Sequence, residues 1–274
     1  MTPSDSKAAR DLLAFYAETG VDALLGEEPV DRFAAPEAPP APVRAPQPIA
    51  SSPAPAIQAR AAPIAPPAPD EAAMAAREAA KSAKTLDELR AILERFDGCA
   101  LKATATRLVF ADGNPQSRVM FVGEAPGRDE DIEGLPFVGR SGKLLDRMLA
   151  AIDLDRTRAY IANVMPWRPP DNRNPDPGEV AMCIPFLRRH IELAQPRILI
   201  LLGAVAARHV LGLNDGIMKI RGRWLEYRIA DALIPVMPTL HPAYLLRQPA
   251  HKKLAWRDLQ AVADKLDGLN LPSP

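Results

Sequence analysis

From about residue 70 onward, apolar positions in this chain switch repeatedly between two patterns. Apolar runs predict buried strands at "VMFVGEAPG" (119–127), which runs into a Gly/Pro turn, "AYIANVMPW" (159–167), "RILILLG" (197–203) and "ALIPVMPTLHP" (232–242). Between them, apolar residues recur at three- and four-residue spacing. This predicts helices over 70–95, "GKLLDRMLAAIDL" (142–154), "GEVAMCIPFLRRHIELAQP" (178–196), "AVAARHVLG" (204–212) and "KKLAWRDLQAVADKLDGL" (252–269). Thr85 interrupts the first of these and, with Glu88 three residues on, forms a capping box for "LDELRAILERF". Strands alternating with helices predict an α/β fold: three α/β/α layers around a central, mainly parallel four-stranded sheet. In that architecture sites lie beyond the carboxyl ends of the strands. Three polar clusters fall there: Gly123 to Gly127, Asn163 onward, and His241-Pro242.

The first third reads differently. Residues 4–25 carry Leu12, Leu13, Tyr16, Val21, Ala23 and Leu24 at roughly helical spacing, ending at Gly26, so residues 1–28 are expected to form a short helical segment, either a solvated helix packed loosely on the body or on nothing, or a helix on a tether that docks a protein partner. Residues 29–69 alternate Pro and Ala with almost no aromatic or β-branched residue. Such a stretch buries too little apolar surface to offset its ordering entropy, and reads as a disordered linker. Residues 70–274 then form the globular domain, the one that carries the polar clusters at the strand ends.

Net charge is zero. Acidic residues predominate before residue 85, which leaves a mildly basic body that permits a local nucleic-acid surface. The two cysteines, Cys99 and Cys183, are too few for a disulfide framework, and neither a secretory signal nor an apolar run of membrane-spanning length is visible. The expectation is a cytoplasmic, monomeric protein.

The segments "GEAPGRDED" (123–131), "GLPFVGRSGKLLD" (134–146), "NVMPWRPPDNRNP" (163–175), "RG" (221–222) and "TLHPAYLLRQP" (239–249), in this order, resemble the family 4, thermostable-type uracil-DNA glycosylases. The resemblance implies a uracil-DNA glycosylase-like fold and a monofunctional enzyme. It would hydrolyse the N-glycosidic bond of deoxyuridine in DNA, leaving free uracil and an abasic site for base excision repair.

The same resemblance implies the site. His241 faces the pyrimidine O2. Asn163 reads the base edge, accepting from N3–H and donating to O4, a pattern that mismatches cytosine. Phe137 stacks on the extruded base, and Gly123, Ala125, Pro126 and Gly127 line the turn beside it. Ala125 stands where other members of the superfamily carry a water-orienting aspartate. The candidates for that electrostatic work are Glu124, Glu130 and Asp131, with Asn172 a further polar neighbour; Glu124 is the first choice and Glu130 the second. Asp129 and Asp131 read as solvated surface, as do His190, His209 and His251. Leu245 and Leu246 followed by Arg247 resemble an intercalating wedge with a phosphate-binding cation, while the same leucines could equally begin a helix. Arg140, Lys143, Arg168, Asn172 and Arg173 complete the expected DNA contacts.

Three departures or exclusions matter. Many family members bind a [4Fe–4S] cluster through four cysteines. Here Cys99 and Cys183 match two of the ligand positions while Phe96 and Trp167 occupy the others, so no cofactor and no metal are expected, with Phe96 and Trp167 filling the space as apolar core. "VGRSGKLLD" lacks the histidine-bearing insertion of a subgroup that traps its product covalently, so turnover is expected. "GRSGK" is too short between its glycines, and lacks the following Ser/Thr, for a phosphate loop. Two other readings stay open: the same fold acting on other deaminated bases, and a non-catalytic DNA-binding or polymerase-associated module.

Overall fold

The computed structural model describes residues 69–230 and 232–268. The helix expected within residues 1–28 and the linker 29–69, apart from its last residue, lie outside them. The described part belongs to one compact unit, Pro63–Pro274. Six strands form one sheet: β1 (Asp112–Gly113), β2 (Val119–Gly123), β3 (Tyr160–Asn163), β4 (Ile198–Leu202), β5 (Leu225–Ile229) and β6 (Ala232–Thr239), in the order β1-β3-β2-β4-β6-β5. The central four, β3-β2-β4-β6, run parallel as expected. The sheet is wider than the four strands read from the sequence because β1 and β5 pair antiparallel at its edges. Neither edge strand has a continuous apolar run; β1 is two residues long and β5 alternates half-buried and exposed positions, so the signal of a strand buried on both faces is missing.

Each central strand sends alternate side chains into two cores. Met120, Val122, Tyr160, Ala162, Leu199, Leu201 and Val236 face one, and Val119, Phe121, Ile161, Ile198, Ile200 and Met237 the other. Helices α1 (Pro69–Ser82), α2 (Leu86–Arg95) and α6 (Pro177–Ala194) cover the first layer. The second is closed by α5 (Arg140–Ala150) and α10 (Lys252–Gly268). Thr85 caps α2, its hydroxyl accepting the Glu88 N–H at 3.1 Å, and Arg189 of α6 donates to the Ala83 carbonyl between α1 and α2 at 2.7 and 2.9 Å.

Short helices not foreseen from periodicity are α3 (Leu101–Thr104), α4 (Arg128–Glu133), α7's follower α8 (Ile217–Ile220) and α9 (Pro242–Arg247); α7 itself is Ala204–Leu211, as expected. They span four to six residues, less than two helical turns, so no apolar period can be read in them.

Two surface readings are corrected. Asp131 is buried, because its carboxylate accepts the Thr106 N–H (2.8 Å), the Thr106 hydroxyl (2.9 Å) and the Arg107 N–H (3.2 Å), and so pins the loop after α3. His190 is also buried, stacked on Phe110 and bonded to the Tyr160 hydroxyl at 2.8 Å; burial pushes its pKa down to about 3.

Trp167 is fully packed within the first core, and Phe96 meets Phe186 edge-on at 4.9 Å between ring centroids. Beside them the Cys183 thiol lies 3.8 Å from Cys99, and its hydrogen bond to Cys99, together with burial, pushes its pKa up. A four-thiolate cluster does not fit this donor set: the chain has two cysteines, and aromatic rings occupy the remaining space. Among the described residues no group of three or more His, Cys, Asp or Glu side chains converges as a metal site.

Candidate active site

A cavity of about 280 Å³ opens beyond the carboxyl ends of β2, β3 and β6. Glu124, Ala125, Pro126, Gly127, Glu130, Phe137, Asn163, Asn172, Arg173, His241 and Arg247 all line it. The structure therefore brings together residues spread over more than a hundred positions of sequence. A larger cleft, about 860 Å³, lies at the amino-terminal end of β2 around Val119, Arg158 and Trp256; none of the residues expected in the active site lines it.

Asn163 ends β3 directly beside Gly123, the last residue of β2. Gly123 has no room for a side chain: a Cβ there would stand 2.4 Å from Asn163 Oδ1 and 2.5 Å from the Phe137 ring. Asn163 is buried, and its Oδ1 has no hydrogen-bond partner. A buried acceptor left unpaired costs about 1–3 kcal/mol, which a donor on a bound ligand would recover.

Phe137 is buried and adopts φ 56°, a left-handed conformation that costs a bulky L-residue energy. It is held there from two sides. Arg156 donates to the carbonyls of Pro136 (3.1 Å) and Phe137, while its own guanidinium pairs with Asp112 and Asp146. On the other side Gly142 presses against the loop, so closely that a Cβ there would lie 1.7 Å from the Phe137 oxygen. The Phe137 and His241 rings are 5.5 Å apart, tilted by 31°.

His241 follows β6 and caps α9, its Nδ1 accepting the Ala243 N–H at 3.1 Å. With Nδ1 an acceptor, the ring proton belongs on Nε2, leaving that nitrogen a donor. Burial, reinforced by the positive charge of Arg247, pushes the His241 pKa down to about 4, so the imidazole is neutral at physiological pH.

Glu124 is half-buried, and desolvation raises its pKa above the ordinary 4.5, against the opposing pull of Arg247. Glu130 lines the cavity, yet both its oxygens are already engaged: one accepts the Gly127 N–H and the other the Gly139 N–H, each at 3.0 Å. It braces the turn after β2 against the loop bearing Phe137.

The outer residues divide. Leu245 is packed in the core, so the wedge expected of it has no exposed side chain to offer; Leu246, 36% exposed, is the leucine presented to solvent, near Arg128, Arg140 and Arg247 around a second cavity. Lys143 is exposed on α5 and lines neither cavity. Arg168 is half-buried and bonds Asn172 at 2.8 Å, while Arg173 is paired with Glu179 and is to that extent neutralised. Arg156 escaped the sequence reading because its partners lie 10 to 44 positions away, outside any local motif.

The arrangement has counterparts. Residues 110–260 match the model of the uracil DNA glycosylase superfamily. The type-4 uracil-DNA glycosylase of Archaeoglobus fulgidus is 37% identical over 185 residues, covering 66% of this chain and 93% of that protein. That of Thermotoga maritima is 39% identical over 173 residues, covering 61% and 88%. A DNA polymerase of Bacillus phage SP01 is 27% identical over 157 residues, which cover 57% of this chain and 16% of the polymerase. The matched segment runs from just before β1 well into α10 and contains every strand and every lining residue of the cavity, so the chain belongs to the uracil DNA glycosylase superfamily.

Proposed function

We propose that this protein is a monofunctional uracil-DNA glycosylase that extrudes deoxyuridine from DNA and hydrolyses its glycosidic bond. The observation that carries the proposal is the unpaired Oδ1 of Asn163, a residue that lines the cavity together with Phe137 and a neutral His241. Uracil N3–H supplies the donor that Oδ1 lacks. Cytosine presents an unprotonated N3 there and would leave two acceptors opposed.

The base must leave the stack before these groups can reach it. Phe137, fixed by Arg156 and Gly142, offers a rigid face on which the ring stacks. As the bond to the sugar stretches, negative charge develops on the pyrimidine oxygens, and the Nε2–H of His241 strengthens its hydrogen bond to O2. A neutral donor already oriented by Ala243 needs no reorganisation at that moment. The Glu124 carboxylate opposes the positive charge growing on the sugar and orients the attacking water. Glu130, with both oxygens committed, holds the loops rather than the water. Leu246 and Arg247 meet the gap and the phosphates left by the extruded nucleotide. The working unit is the catalytic domain of residues 70–274.

The test is a labelled oligonucleotide bearing one deoxyuridine, incubated with wild type, His241→Ala or Asn163→Ala and then treated with alkali. Strand breaks confined to the uracil position and to wild type are expected. DNA binding without breaks would sink the proposal.

A further inference from the structure

The Arg221-Gly222 pair is not accounted for by the cavity, which it does not line. Its side chain instead enters a buried ion pair. Arg221 Nε donates to Asp258 Oδ2 at 3.0 Å and Nη2 to Oδ1, with the Arg221 and Asp258 side chains only 14% and 2% exposed. Nη2 also donates to the Leu254 carbonyl at 2.6 Å, tying the pair to α10. Gly222 (φ 70°) must be glycine here, since a Cβ would lie 2.5 Å from Asp258 Oδ1. Its N–H reaches the Pro238 carbonyl of β6 at 3.0 Å.

A buried ion pair is seldom more stabilising than apolar packing of the same volume; what it supplies is a fixed geometry. The element fixed here is the end of β6. Thr239, its last residue, donates its hydroxyl to Asp258 Oδ2 at 2.6 Å and accepts the Gly203 N–H on its carbonyl at 2.8 Å. Thr239 is therefore held through both side chain and backbone, and fully buried Leu240 alone separates it from His241. Gly203 also abuts the histidine, with 3.0 Å from its would-be Cβ to the His241 Cβ.

We propose that Asp258, oriented by Arg221, is a positioning residue that sets the His241 imidazole through Thr239. The inference rests on the glycosylase reading of the cavity. Removing the Thr239 hydroxyl frees the strand end to shift, and small displacements of a group that acts on the transition state cost rate more than binding.

Thr239→Val keeps the side-chain shape and drops the hydroxyl, while Thr239→Ser keeps the hydroxyl. Thr239→Val is expected to lower the single-turnover cleavage rate on the order of tenfold with KM within about twofold; Thr239→Ser restores it. In a His241→Ala background the same substitution should cost nothing further. Independently of activity, ¹⁵N–¹H spectra of histidine-labelled protein should show His241, assigned by its loss in His241→Ala, as the Nε2–H tautomer in wild type and as mixed tautomers in Thr239→Val. The proposal is overturned by an equal loss in both backgrounds or by an unchanged imidazole spectrum. A wild type that cleaves nothing defeats the functional reading alone, and the imidazole spectrum then decides the positioning one.

Discussion

At the scale of single residues, the site is built from groups whose chemistry is set by what they lack. Asn163 lacks a partner for Oδ1, and His241 lacks the proton that an exposed imidazole would carry below neutrality. In the proposed binding mode, truncating Asn163 to alanine removes two hydrogen bonds to the base edge. At roughly 1–1.5 kcal/mol each, single-turnover cleavage of deoxyuridine should fall by about 30- to 160-fold. An unchanged rate in Asn163→Ala would show that the amide does not read the base. Glu124 supplies a pH dependence. Desolvation raises its pKa above 4.5, so the charged form is lost earlier on acidification than for an exposed glutamate. Cleavage should therefore decline as pH falls while the fold is still intact, with a limb above pH 4.5 that Glu124→Gln abolishes. A limb that persists in Glu124→Gln would assign it elsewhere. Asn163 and His241 could be placed from the sequence because each sits in a short motif at or just after a strand end, and Phe137 because the segment "PFVG" carries it in the loop before α5. Asp131 and His190 were misread as surface because their partners, Thr106 and Tyr160, are 25 and 30 positions away. Burial of a polar side chain by a distant partner leaves no mark on local periodicity.

At the scale of elements, what had to be inferred from contacts is the support for the loops. Phe137 was readable as an aromatic in a Gly-rich turn, whereas its strained backbone, and the Arg156 clamp that sustains it, were not. Arg156 precedes β3 and reaches across to Asp112 of β1, a strand too short to recognise from pattern. Arg156→Ala should release two loop carbonyls and leave Asp112 and Asp146 unpaired, lowering stability by about 1–3 kcal/mol. It should also slow cleavage more than a surface Arg→Ala change does. Full activity at a temperature where the variant stays folded would mean that the clamp serves stability alone. Helix α9 divides its two leucines in a way the sequence left open: Leu245 turns inward and Leu246 outward. Leu246→Ala should therefore weaken cleavage of double-stranded substrate more than single-stranded, because a wedge matters only where a stack must be opened. Equal losses on both substrates would remove the wedge role. Leu245→Ala should instead lower the unfolding midpoint, as a core cavity does.

At the scale of the whole molecule, the alternation of strand and helix was enough to give a parallel α/β/α sandwich, since uninterrupted apolar runs such as Ile198–Leu202 are viable only when both faces of a sheet are covered. The same burial gives the fold a characteristic response to acid. His190 is held neutral under Phe110 with its pKa pushed down to about 3, and His241 is lowered to about 4; both would titrate near 6.5 in an unfolded chain. Where the folded pKa lies below the unfolded one, the unfolded state binds the extra proton, so the stability these groups contribute is complete above about pH 6.5 and lost as pH falls toward 4. His190 is the cleaner probe, because it lies outside the cavity and its ring is buried. It should contribute a slope of about 1.4 kcal/mol per pH unit through that window. Replacing it by phenylalanine leaves the Tyr160 hydroxyl unpaired, which costs stability at every pH. The cost is uniform, so the signature is in the slope: urea unfolding of His190→Phe between pH 7 and 4.5 should show a pH dependence shallower by about one proton than wild type. Parallel curves, displaced but equal in slope, would mean that folded His190 takes up its proton over the same pH range as in the unfolded chain, so that below about pH 6.5 its contact with Phe110 is a stacked cation rather than a buried neutral ring.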